Sequence, residues 1–209
     1  MVDLIKRNYV AEFRNDASDG LIVGTPVVYD SPTDIGGMFQ ETICKGAISE
    51  DIIKDVRFFW NHNIYEKAIA RSIIPLDKPG GMRFKVTDSG LVMTMNPNRK
   101  RSDANDLVLA IEDGVISGMS FMFGVAEERW EDVDTDYPKR FITRIDPLIE
   151  VSAVNWPAYA TTDIHARKDA ATEIDRAVLD KMRQKRKTGA ESTAKKKPMN
   201  KYYYYYGGK

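Results

Sequence analysis

A chain of 209 residues can hold one domain with a self-sufficient core plus a tail, so no disulfide framework or structural metal is needed to keep it folded. Its single cysteine, Cys44, excludes an internal disulfide, suits a reducing cytoplasm and reads as a small buried hydrophobe, not a reactive thiol. The 31 basic and 31 acidic side chains cancel, yet from Lys181 onward ten lysines or arginines face one acid, Glu191, so a basic tail follows an acidic body.

The opening MVDLIKRNYVAEF lacks the apolar core of a signal peptide, and no apolar run is long enough for a membrane helix, so a soluble chain with no membrane partner is expected. Up to about Ala160 short apolar stretches alternate with Gly, Pro, Asn and Asp, the pattern of a mostly antiparallel β domain. Strands are expected at Leu21–Tyr29, Val56–Trp60, Ala68–Pro75, Met82–Thr87 and Gly90–Met95, then at Val115–Ala126, Arg140–Ile145 and Leu148–Asn155. Ser49 with EDIIKD suggests a short helix. After Ser102, DANDLVLAIEDG opens on a helix-capping residue, spaces leucine and isoleucine helically and ends at Gly114, which predicts a second helix. Beyond Ala166 the stretch DAATEIDRAVLDKMRQKRK puts Ile174, Val178, Leu179 and Met182 on one face of a terminal amphipathic helix. After Thr188 the composition, including Tyr202–Tyr206, is too poor in aliphatic residues to pack and is expected to be disordered. The basic run is a solvated tail or a docking segment for an acidic partner; nothing in it reads a base sequence.

Two histidines leave few places for imidazole chemistry. His62, in FFWNHN, ends an apolar strand and is either a hydrogen-bonded structural residue or a site residue at a sheet rim, whereas His165 lies among charges and reads as solvated. Ser120, in VISGMSFMFGV, is a hydroxyl bracketed by Gly118 and Gly124, which let another backbone approach; Ser117 is its nearest competitor. Glu150, in LIEVSAVNWPAYA, is an acid in an apolar strand, either paired or on a solvated face. Together these three supply a base, a nucleophile and an orienting acid, because serine needs a positioned imidazole and the imidazole needs its other nitrogen held. The histidine and cysteine spacing fits no metal site and no phosphate-binding GxxxxGK[ST] loop is present, so neither a metal nor a cofactor is expected.

Asn61–His62 after an apolar strand, SGMSFMFG, EVSAVNWPA and the upstream ETICKGAISEDI, in this order, resemble the prohead proteases of HK97-like tailed phages, distantly similar to the herpesvirus assemblins. The resemblance spans roughly Val10 to Thr162. Met122 stands where the family has glycine two residues after the serine, and Asn63 where aspartate is common, departures that bear on substrate fit. The resemblance implies an α+β fold, mainly β with flanking helices: a small closed antiparallel β-barrel of the herpesvirus-protease type over residues 1–165, then a helix over 166–188 and a tail over 189–209. It implies a serine endopeptidase with Ser120 as nucleophile, His62 as base and Glu150 as third member, with Ser152, Asp146 or a water as alternatives for that last role. Oxyanion donors would be backbone amides near a turn, with Arg144 a further candidate. The implied substrates are the major capsid or scaffold protein and the chain itself, inside a procapsid assembled in the bacterial cytoplasm, and the dimers of the herpesvirus relatives leave a homo-oligomer open. A catalytically inactive assembly or scaffold-binding protein on the same fold is the alternative.

Overall fold

Apolar residues at alternate positions build most of the molecule, as in Leu21–Val28, where buried Ile22, Gly24 and Pro26 alternate with half-buried Leu21, Val23 and Thr25 before a register shift puts Val27 inside as well. The structure, a computed structural model, describes residues 4–10, 14–16, 20–155 and 173–188. In chain order these form β1 (Leu4–Val10), β2 (Arg14–Asp16), β3 (Leu21–Val28), β4 (Thr33–Ile35), β5 (Phe39–Ile43), β6 (Arg57–Trp60), β7 (Ala70–Arg71), β8 (Gly81–Val86) and β9 (Gly90–Asn96). Helix α1 (Ser102–Glu112), the long strands β10 (Gly118–Glu131) and β11 (Lys139–Val154), and helix α2 (Glu173–Lys187) complete them.

All the strands join one sheet in the order β1-β10-β11-β6-β7-β8-β9-β3-β2, with β5 also on β11 and β4 on β5. The β10–β11 hairpin is the spine. Its ladder is interrupted by register shifts from Met122 to Glu128, which bend it so that β11 pairs in parallel with β5 at its start and with β6 at its end. The sheet curls until β3 meets β1 and β10, giving a half-barrel; among the described residues its end strands β1 and β2 do not pair. The expected mainly β fold with flanking helices is therefore present, while barrel closure is not made by the ladder.

Inside the curl, Phe121 and Phe123 stack at 4.7 Å and pack with Phe58, Met93, Met95 and Val151, all wholly buried. Helix α1 closes one side with Ala104, Leu107, Val108 and Ile111, the face its spacing predicts. Burying each such large side chain contributes roughly 1.5–3 kcal/mol. Its N-cap is Arg101, whose side chain makes no capping bond, and Asp103, the expected capping residue, lies inside the first turn, where its charge is favourable for the helix dipole.

Several expectations are corrected. Residues 50–55 form turns and no helix; Ala68–Pro75 yields only the two-residue β7; the two strands expected on either side of Pro147 are one, β11. Four strands, β1, β2, β4 and β5, were not legible at all. His165, Tyr202–Tyr206, residues 166–172 of the terminal helix and the tail after Thr188 lie outside the described residues.

Helix α2 uses the expected face, with Leu179 against Ile35 and Phe39, and adds a buried charge to it. Asp175 meets Arg7 of β1 (Nη2 to Oδ1, 2.7 Å), and Arg7 also forks onto Glu41 of β5 at 2.6 and 2.9 Å. Arg140 of β11 joins Glu41 at 3.0 Å and Glu128 at 2.6 Å. Arg7, Glu41, Arg140 and Asp175 are all essentially inaccessible. Burial works against the charge on Glu41, but Arg7 and then Arg140 outweigh it and hold its carboxyl below the usual range. Burial likewise opposes the charge on Arg7, and Glu41 and Asp175 outweigh it, keeping the guanidinium protonated.

Glu41→Gln is expected to cost about 3 kcal/mol at neutral pH, because it leaves two buried guanidinium groups short of a countercharge. A carboxyl depressed in the fold stabilises fully above its unfolded value of about 4.3, and that stabilisation drains away as pH falls through the folded value. Thermal melts across that acid range should therefore show the parent losing this increment while Glu41→Gln, which never had it, falls less steeply. Equal melting temperatures at pH 7 would mean that the network stabilises nothing.

Candidate active site

Two consecutive residues after β6, Asn61 (φ 51°) and His62 (φ 58°), adopt the left-handed backbone conformation. For non-glycine residues this costs roughly 1–2 kcal/mol each, and asparagine and histidine are among the side chains that tolerate it best. Hydrogen bonds from the end of β11 hold the turn. Asn61 N donates to the Ala153 carbonyl at 2.8 Å, Asn155 N donates to Asn61 Oδ1 at 3.0 Å, and Trp60 Nε1 donates to Asn155 Oδ1 at 2.9 Å. His62 N donates to Ser152 Oγ at 3.2 Å. The turn swings the imidazole back over the sheet instead of letting β6 run on.

There it meets Glu150. His62 Nδ1 and Glu150 Oε1 are 2.6 Å apart, and Ser152 Oγ donates to the other carboxylate oxygen, Oε2, at 2.5 Å. Glu150 and Ser152 are two residues apart on β11 and share a face. Both are fully buried, and the His62 side chain is 11% exposed. A carboxylate has two acceptor oxygens and here both are used, one by the ring and one by the hydroxyl. That fixes the ring with Nδ1 committed to the acid. The opposite ring nitrogen, Nε2, is buried and has no hydrogen-bond partner among the described residues.

Ser120 stands directly across from Ser152 in the β10–β11 ladder, so its side chain lies on the same face about 4.5–5.5 Å away, measured between Cα atoms. Its own hydroxyl points elsewhere, donating to the Arg7 carbonyl of β1 at 2.8 Å, and Ser120 is wholly buried. Surface recesses lined by Ile53, Ser72, Met82 and Phe84, and by Leu21, Leu76 and Arg83, contain none of these residues.

Of the three residues singled out in the sequence, His62 and Glu150 are thus joined directly and Ser120 lies in the adjoining row, hydrogen-bonded to neither. Ser152, the alternative expected for the third role, hydrogen-bonds both the Glu150 carboxylate and the His62 amide. Asp146 sits by the Arg144 guanidinium at 3.8 Å, and Arg144 is partnered with Glu127 at 3.0 Å in the bent part of the hairpin. Ser117 falls just before β10 begins. Cys44 is half-buried instead of the buried hydrophobe expected, and what burial it has pushes its thiol up, away from the thiolate form. Asn155 and Arg7 were not singled out from the sequence. For Asn155 the usable signal was an amide two residues before Pro157, at a strand end; for Arg7 there was none, since a charge in an apolar strand reads as its solvated face.

The chain is 26% identical over 157 residues to the prohead protease of Enterobacteria phage HK97, an alignment covering 75% of this chain and 64% of that protein, so the chain spans somewhat less than two thirds of its relative. No solved structure matches it. The family model for the caudovirus prohead serine proteases matches residues 9–177, which include His62, Ser120 and Glu150, and the chain belongs to that family.

Proposed function

We propose that the chain is a serine endopeptidase of phage head maturation, with Ser120 as nucleophile, His62 as general base and Glu150 as the acid that orients the base. The observation that carries this reading is the His62–Glu150 pair at 2.6 Å, which leaves Nε2 buried and unpartnered among the described residues, with Ser120 across the ladder from Ser152, the hydroxyl that braces the pair. Serine at its own pKa is a poor nucleophile, and an imidazole held at one nitrogen by a carboxylate is the group that activates it. Ser120 Oγ attacks the scissile carbonyl carbon as its proton passes to His62 Nε2. His62 returns that proton to the leaving amine, and water, deprotonated by the same nitrogen, releases the acyl group and restores the serine. Glu150 stays ionised throughout and stabilises the imidazolium that forms.

The substrates in this reading are the major capsid protein or a scaffold protein, and the chain itself, met inside the procapsid in the bacterial cytoplasm. The curled sheet is then an opened version of the small β-barrel of the herpesvirus capsid proteases. Incubating the chain and its Ser120→Ala variant with the capsid protein of the same phage, and reading the products by mass spectrometry, tests it. The expected result is defined new termini from the parent alone. Products that are identical or absent in both would favour the other reading, an assembly protein that keeps the fold without the chemistry.

A further inference from the structure

Arg7 is tied to three parts of the molecule at once. Its guanidinium grips Glu41 of β5 and Asp175 of α2, while its backbone carbonyl accepts the Ser120 hydroxyl at 2.8 Å. In the antiparallel ladder Arg7 faces Phe121 and Asn8 faces Ser120, so the Arg7 side chain lies on the opposite face of the sheet from the Ser120 side chain and reaches it only through the main chain. A buried guanidinium held by two carboxylates fixes the backbone that carries it. The carbonyl of that backbone takes the one proton the nucleophile must give to His62, and His62 Nε2 is left without a partner among the described residues. With Ser120 wholly buried as well, the nucleophile, as it stands, can meet neither base nor substrate.

Building on the serine endopeptidase reading, we infer that Arg7 is a positioning residue that keeps Ser120 in a resting state, and that α2, through Asp175, sets how firmly it does so. Loosening Asp175 from Arg7 lets β1 draw away from β10; the Ser120 hydroxyl then turns to Nε2 and the edge of β10 opens. Helix α2 is also held by Leu179 against Ile35 and Phe39, by Ile174 against the main core and by surface bonds such as Arg186 to Asp134 at 2.8 Å, and the Asp175–Arg7 pair is a buried polar link from it to the strand over the nucleophile. An ordinary structural salt bridge would make its loss harmful to activity. This arrangement makes its loss activating.

The test uses the full-length chain and a fluorophosphonate probe, which phosphonylates an activated serine with loss of fluoride, followed by mass spectrometry of the Ser120 peptide. Asp175→Asn, close in shape, is expected to label about tenfold faster than the parent or more, as the resting state loses its hold. A folded Asp175→Asn that labels at the parent rate or more slowly overturns the inference. Because that variant removes a buried charge, a second one is read beside it: Lys6→Cys with Met122→Cys, in a Cys44→Ser background. Lys6 and Met122 stand directly opposite one another in the β1–β10 ladder, within reach of a disulfide. The oxidised form should label about a tenth as fast as the same chain reduced, or slower, since β1 can no longer leave. Equal rates in the two redox forms would sink the idea. Labelling that Ser120→Ala removes keeps the serine hydrolase reading whatever these ratios are, whereas no labelling of any form, reduced and Asp175→Asn included, removes that reading and this inference with it.

Discussion

Replacing Ser120 and His62 together by alanine is expected to reduce cleavage of the capsid protein no further than either replacement alone, with each single change lowering kcat on the order of 10⁵–10⁶. In the proposed mechanism the two side chains supply halves of one step. Without the imidazole the hydroxyl keeps its proton, and without the hydroxyl the imidazole has nothing to activate, so the second loss removes a contribution already gone. Structure limits the side effects. Ser120→Ala deletes one hydrogen bond, to the Arg7 carbonyl, and keeps the strand, while His62→Ala leaves Glu150 with Ser152 Oγ as a donor on one oxygen. That stranded buried carboxylate is the greater risk, so each variant's melting temperature should be read beside its rate. Rates that multiply, with the double variant slower than either single by another large factor, would show two independent roles and dissolve the pairing. Activity of His62→Ala above about one hundredth of the parent would place the base elsewhere, since a general base contributes typically 10²–10⁴-fold.

How far the sequence disclosed this site follows from which distances are local. The helical spacing of Leu107 and Ile111, the alternation in β3, β8 and β9, and the apolar stripe of α2 are properties of neighbouring residues, and they were legible. The His62–Glu150 contact links positions 88 apart and exists because β6 runs parallel to the end of β11, a pairing that no local pattern encodes. It could be expected only from chemistry, as the partners an imidazole and a buried acid require, and from the motif order. The β1 strand was missed for a related reason. In LIKRNYV the charges at Lys6 and Arg7 break any alternation, and the rule that charges face water fails at Arg7 because Glu41 and Asp175, 34 and 168 positions away, neutralise it inside. Pro147 likewise read as punctuation between two strands. The hairpin carries on through it because the register shifts of β10 already bend the pair there, so β11 has no ladder bond to lose at that point.

Glu150→Gln is the second large effect, a fall in kcat of about 10³–10⁴ with the fold retained. Two donors face this carboxylate, the His62 ring at Nδ1 and the Ser152 hydroxyl, and a glutamine offers only one acceptor end. If the amide oxygen faces Ser152, its NH₂ faces the ring, and Nδ1 must become the acceptor. The ring proton then sits on Nε2, the nitrogen that has to receive the serine proton, and the base is blocked. If the amide turns the other way, the tautomer survives but the negative charge that stabilises the imidazolium is gone, and the Ser152 hydroxyl must rotate to accept. Ser152→Ala separates the two requirements, since it keeps the charge and the tautomer and removes only the brace on Oε2 and the acceptor for His62 N. Losing a hydrogen bond to a charged group costs about 1.5–3 kcal/mol, so roughly a ten- to hundredfold fall is expected there. Steady-state kinetics on the two variants decides between the roles. Glu150→Gln much slower than Ser152→Ala assigns the base's partner to Glu150, whereas the reverse order would mean that the hydroxyl, bonded to both the acid and the turn that carries His62, is the group on which the geometry depends.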